Sequence, residues 1–167
     1  GGVLRGWQLG GVMTYSSGLP TTVWLAYDAA RTQTRQTGAG ASQRPDLAPG
    51  VTGGVVMGDP MNWVVASAFR RPEAGYLGNL GRNTIGGPDL ASTDLSLVKR
   101  FGMARIGERA HVDLRFEVFN LLNRTNFDLP DVERMEVFSE TSTREDFARI
   151  TSAGRSREIQ IGIKLRF

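Results

Sequence analysis

The chain has 167 residues, of which 40% are apolar, 8% aromatic and 22% charged, with a formal net charge of +3. That balance excludes a disordered tail, and no apolar run nears the roughly 18 to 20 residues that a membrane-crossing helix needs. Only Lys99 and Lys164 are lysines in an arginine-dominated basic set, yet no arginine cluster is interleaved with stacking aromatics, so no nucleic acid is expected as a partner.

The 21 glycines are scattered without a period of three, which suits turns and small strand positions and excludes a collagen-like chain. There are no cysteines, so neither a disulfide framework nor a thiolate metal site is available. The chain opens Gly1-Gly2-Val3 without an initiator methionine or a leader pattern, as expected of a segment cut from a longer protein.

Residues 3–17 (VLRGWQLGGVMTYSS) set Val3, Trp7, Leu9, Met13 and Tyr15 against Leu4, Gly6, Gln8, Gly10, Thr14 and Ser16, with Leu4 and Val12 as apolar exceptions on the polar side. This period of two predicts a strand. A long connection follows, punctuated by Gly18-Leu19-Pro20, Arg44-Pro45-Asp46 and Gly86-Gly87-Pro88. Within it, residues 21–27 (TTVWLAY) read either as a continuation of the first strand or as a small hairpin. Residues 93–101 (TDLSLVKRF) place Thr93, Leu95 and Leu97 on one face and Asp94, Ser96 and Val98 on the other. A short turn, residues 102–108, leads to residues 109–122 (RAHVDLRFEVFNLL). There Ala110, Val112, Leu114, Phe116 and Val118 alternate with Arg109, His111, Asp113, Arg115 and Glu117. The alternation fades over residues 119–122, and Asn120, Asn123 and Asn126 supply turn chemistry for the exit into a second long connection. Residues 158–167 (EIQIGIKLRF) close the chain with five apolar residues, Ile159, Ile161, Ile163, Leu165 and Phe167, in strict alternation. In isolation such a segment also fits an edge strand of a soluble sandwich.

Length and connections separate the two possibilities. The segments approach or exceed the roughly nine to eleven residues of a tilted membrane-crossing strand, whereas globular strands average about five or six. Backbone groups in hydrocarbon must all be paired, which leaves a closed barrel as the only β solution there, with lipid-facing and lumen-facing side chains alternating. The alternation predicts Leu95, Leu97, Val112, Leu114, Phe116 and Val118 as lipid-facing, and Asp94, His111, Asp113, Arg115, Glu117 and Lys164 as lumen-facing. One short turn between two long connections matches the periplasmic turns and extracellular loops of outer-membrane barrels. The expected fold is all-β, an antiparallel transmembrane β-barrel, with residues 1–167 forming its C-terminal portion: about four long strands and two long extracellular loops.

Other chemistry finds little support. Residues 78–87 lack the spacing and the following helix of a phosphate-cradling loop. His111 and Asp113 share a strand face but have no third ligand, so no metal is expected. Ser16, Ser17 and Asp94 form no nucleophile arrangement, and neither catalysis nor a cofactor is expected. Asp113 and Glu117 alternate with Arg109 and Arg115, which reads as a charge ladder wetting the lumen wall, with Lys164 and Arg166 as cross-strand members. Trp7, Tyr15, Phe101, Phe116 and Phe127 are candidates for interfacial aromatic girdles.

Several motifs resemble the C-terminal barrel region of TonB-dependent transporters of the Oar-like kind, which carry a carboxypeptidase regulatory-like domain. They are GWQLGGVMTYSSGLP (residues 6–20), RPDL (44–47), GNLGRNTIGGPDLASTDLSLVKRF (78–101), RFEVFNLLNRTNF (115–127), FARITSAG (147–154) and REIQIGIKLRF (157–167). The resemblance implies a place in the outer membrane of a Gram-negative-type bacterium, within a barrel of about 22 strands. It also implies import of a scarce ligand, energised by TonB through a plug and N-terminal regions that these residues do not include. Under the same resemblance, Phe167 with Leu165, Ile163, Ile161 and Ile159 forms the terminal signal read by the barrel assembly machinery, and outer-membrane lipid is the surrounding partner. The alternative is a structural or adhesive outer-membrane barrel that binds partners through its loops. A soluble β-sandwich module is the third possibility. Neither loop carries a recognisable chelate or sugar-binding motif, so the sequence does not name the ligand.

Overall fold

The computed structural model describes residues 5–33, 43–52, 54–105, 107 and 109–167. Val3 and Leu4, assigned above to opposite faces of the first strand, and Glu108 of the short turn lie outside the described residues. The described chain forms two compact units. One comprises Gly1–Ser16, Leu90–Asn126 and Gly154–Phe167, and the other Ser17–Asp89 and Phe127–Ala153.

The first unit is a wall. Strands β1 (Trp7–Ser16), β2 (Leu90–Gly102), β3 (His111–Phe119) and β4 (Glu158–Arg166) form one antiparallel sheet in the order β1-β2-β3-β4. Register joins the four local alternations into two continuous faces. Leu9 pairs with Leu97, Leu97 with Phe116 and Phe116 with Ile161, which makes an apolar row across the whole sheet. One residue away, Gly10, Ser96, Glu117 and Gln160 form the corresponding row on the opposite face. A slip of one residue at the β3–β4 pairing would bring Ile159 or Ile161 beside Glu117, and one at β2–β3 would bring Leu95 or Leu97 there, so the pattern specifies its own register.

The β2–β3 hairpin closes through Met103 N–H to Ala110 O (2.8 Å), so Arg109 and Ala110 belong to the turn rather than to the strand. Both long connections leave the same end of the sheet, because Ser16 pairs with Leu90 and Phe119 with Glu158.

The second unit holds the two long connections in a folded form that their sequence did not announce. It has a core of its own, with Val23, Leu25, Val64, Phe69, Ile85, Met135, Val137 and Phe147 buried. Short pairings frame it: Pro20–Thr21 with Ile85–Gly86, Asp46–Leu47 with Phe69–Arg70, Val56–Asp59 with Asn62–Val64, and Trp24–Leu25 in parallel with Glu136–Phe138. Residues 21–27 therefore neither extend β1 nor fold as a hairpin. Their partners come from segments far away in sequence, because Val23 and Leu25 are taken into the core. Two girdle assignments also change. Phe127 bridges to Ala153 and packs against this core, and Phe116 stands in the middle of β3, not at its end.

Candidate functional site

The polar face of the wall carries the charge ladder, wired differently from the sequence reading. Asp113 pairs with Arg100 on the neighbouring strand, which donates from Nε at 2.8 Å and from Nη2 at 3.2 Å, rather than with Arg109 or Arg115 on its own. Such a forked guanidinium–carboxylate contact is the strong form of ion pair. Parity was the missed signal: Arg100 falls in step with Asp94, Ser96 and Val98. Arg115 and Glu117 approach to 3.6 Å along β3, and Ser96 Oγ donates to Glu117 at 3.4 Å. Lys164 lies opposite Asp113 and Arg166 opposite His111, so both join the ladder by register. The His111 ring has Nδ1 2.9 Å from Arg109 O and Nε2 3.9 Å from Asp113. No group of three metal-capable side chains occurs among the described residues.

The upper rim of this face is a knot built on asparagines. Asn120 and Asn123 adopt φ values of 50° and 51°, the left-handed conformation that asparagine tolerates better than most residues. The Asn120 amide donates to the carbonyls of Arg124 (2.9 Å) and Arg155 (3.1 Å) and accepts from Arg124 N–H at 3.1 Å. Its own N–H donates to Asp94 Oδ1 at 2.9 Å. Asn126 Oδ1 accepts from Ala91 N–H at 2.9 Å, and Asn123 Oδ1 from Arg157 N–H at 3.0 Å. These bonds splice the start of β2, the end of β3 and the approach to β4 into one rim.

The opposite face bears Leu95, Leu97, Val112, Leu114, Phe116 and Val118, together with Ile159, Ile161, Ile163 and Leu165 of β4, in one continuous apolar field. Ile161 and Ile163 are 68% and 74% exposed, and Leu9 and Met13 of β1 are 72% and 83% exposed. An apolar surface of this extent calls for a non-aqueous neighbour. Lys99 is the one charge in these rows, and sequence reading passed over it. It sits at the short-turn end, with its ammonium 4.9 Å from the Trp7 ring centre, 5.4 Å from that of Phe101, and 2.5 Å from Arg5 O. A buried lysine ammonium held between two aromatic rings and a backbone carbonyl keeps its charge satisfied at an end of the apolar face, where aromatic residues suit a membrane interface. Tyr15 marks the other end of the same face.

In the loop unit, the RPDL and GNLGRN motifs lock together. Arg44 Nε donates to Leu80 O at 2.7 Å, Leu80 N–H to Pro45 O at 3.1 Å, Asn79 N–H to Asp46 Oδ1 at 2.8 Å and Leu47 N–H to Asn79 Oδ1 at 2.9 Å. Gly78 allows the approach, because a side-chain carbon there would collide with the Arg44 and Pro45 carbonyls. Arg144 bonds Asp146 and, with Arg134 nearby, holds that carboxyl below the usual carboxylate range against the opposing effect of desolvation. At Asp28, burial opposes the charge. The N–H groups of Thr32 and Gln33 and the Gln43 amide outweigh it and hold the carboxyl low.

A sheet with one lipid-like face and one charged face is what a barrel wall requires, and the sequence matches the family described as outer membrane beta barrel domain over residues 1–160. The chain belongs to that family. Neither the curated proteins nor the solved structures return a match. This outer membrane barrel domain resides in the cell outer membrane, where short turns lie on the periplasmic side and long loops outside. The β2–β3 turn is accordingly periplasmic, and both long connections are extracellular.

Proposed function

We propose that this barrel domain is a section of the wall of a TonB-dependent transporter of the Oar-like kind, which carries a scarce ligand from outside the cell into the periplasm. The supporting observation is that the two extracellular connections share one packed core, and that within the first of them the RPDL and GNLGRN segments on which the resemblance rests are stapled to each other. A folded extracellular unit offers fixed side chains to a ligand, which bare connecting loops do not. The four strands expose two sheet edges, and barrels of this type need at least about eight strands to close, so further strands complete the wall. The free edge and apolar row of β4 suit recognition by the barrel assembly machinery, and the apolar field suits outer-membrane lipid. The reading assigns no catalysis to the chain.

The test uses the full-length protein. Its binding to the periplasmic domain of TonB, and ligand uptake by cells with and without TonB, should both show TonB dependence. Uptake that is indifferent to TonB, with no binding, refutes the transport reading and leaves a structural or adhesive barrel.

A further inference from the structure

At the extracellular rim of the polar face lies a cavity of about 470 Å³ whose lining belongs entirely to the wall unit. The size falls within the roughly 300 to 1,000 Å³ of small-molecule sites. Its lining includes the Phe119 ring, Ser92 and Asp94 from β2, Glu158 and Gln160 from β4, and Asn126 from the rim knot. We propose that this cavity binds a neutral saccharide, an inference that rests on the transport reading and supplies its substrate class.

The chemistry of the lining selects that class. Phe119 is 41% exposed, so an aromatic ring stands open to solvent in a cavity whose other lining is polar apart from Leu90 and Gly154. It offers a flat apolar surface to the C–H face of a pyranose. Sugar hydroxyls both donate and accept, and they need partners of both kinds in fixed positions. Gln160 and Asn126 offer amide donors, while Gln160 and Asp94 offer acceptors. Asp94 is held in place through one oxygen only, by Asn120 N–H at 2.9 Å and Ser92 Oγ at 3.1 Å. Asn126 is likewise anchored through its oxygen, by Ala91 N–H at 2.9 Å and Arg124 Nη1 at 3.2 Å. The hydrogen bonds that fix these side chains therefore use one end of each and leave the other end to the cavity.

Charge argues against the other ligand classes. Glu158 is 3.5 Å from Arg155, which leaves Asp94 as the uncompensated charge and disfavours an anion. A bare metal cation lacks a cluster of three ligating side chains among the described residues. Sequence reading missed the site because its members come from four separate stretches, residues 90–94, 119–126, 154–156 and 158–160.

The experiment titrates maltotriose, cellotriose, mannotriose and trigalacturonate into the full-length barrel in detergent, with TonB binding and TonB-dependent uptake measured on the same protein. A neutral trisaccharide should bind saturably and more tightly than trigalacturonate. Phe119→Ala and Gln160→Ala should each weaken it about three- to tenfold, while Met13→Leu on the lipid face changes nothing. Absence of saturable binding by every neutral sugar, tighter binding of trigalacturonate, or indifference to both variants overturns the inference. A barrel that recruits TonB but binds no neutral sugar overturns this inference alone. One that binds the sugar but takes it up equally without TonB overturns the transport reading alone.

Discussion

Ile161 and Gln160 are adjacent in β4 and lie at nearly the same depth on opposite faces, which makes them a paired test of the wall. Ile161 sits one residue from the middle of the nine-residue strand, about 3.3 Å along it. Its side chain extends the row Leu9, Leu97, Phe116 and is 68% exposed on the apolar face. Arginine on the lipid face costs about 2 to 4 kcal/mol at the bilayer midplane and about 0 to 1 near the interfaces, so Ile161→Arg belongs toward the upper part of the first range. Gln160→Arg meets Glu117 across the β3–β4 pair and should change stability by no more than about 0.5 kcal/mol. The gap of about 2 kcal/mol or more corresponds to roughly thirtyfold in the folding equilibrium. Urea titrations of the full-length barrel in phosphatidylcholine vesicles, compared at constant m, read it directly. Equal destabilisation by the two variants would refute the assignment of the faces.

Three further outcomes concern the extracellular unit. Trp63→Ala removes a ring that is 9% exposed, along with its 2.9 Å bond from Nε1 to Gly86 O. It should cost about 3 to 5 kcal/mol and open the unit to trypsin while the barrel keeps its heat-modifiable migration. Gly78→Ala forces the Arg44 and Pro45 carbonyls away and should cost about 1 to 3 kcal/mol, read as a lower unfolding temperature of the protease-resistant loop fragment. Asp146 is held below its ordinary value of 3.8 in the folded unit, so its contribution is fully present above that value and is lost as pH falls through the lower folded value. Pepsin cleavage of the unit should therefore accelerate only below about pH 3.8, and Asp146→Asn should flatten that part of the profile.

The wall was legible because its signal is local. A strand turns successive side chains to opposite faces, so five isoleucines, leucines and phenylalanines at every second position declare a face without reference to any partner. The alternation in β3 and β4, the short hairpin and the exit asparagines all emerged this way, with boundary shifts of a few residues. Lys99 escaped because its charge breaks the alternation: Phe101 is its same-face neighbour along β2, but Trp7 and the Arg5 carbonyl come from a segment more than ninety residues away in sequence.

What the sequence by itself determined is therefore the two-faced character of the strands and the membrane environment it demands. Register, the Arg100–Asp113 pairing and the rim cavity needed strands placed side by side, since parity says which face a residue occupies but not which residue stands across from it. The core of the extracellular unit needed still more. Val23 and Ile85 lie in glycine- and proline-containing stretches and Val137 in a charged one, with no periodicity to announce them. Only tertiary structure brings them together, because burial there is decided by contacts between distant segments rather than by the spacing of side chains along one.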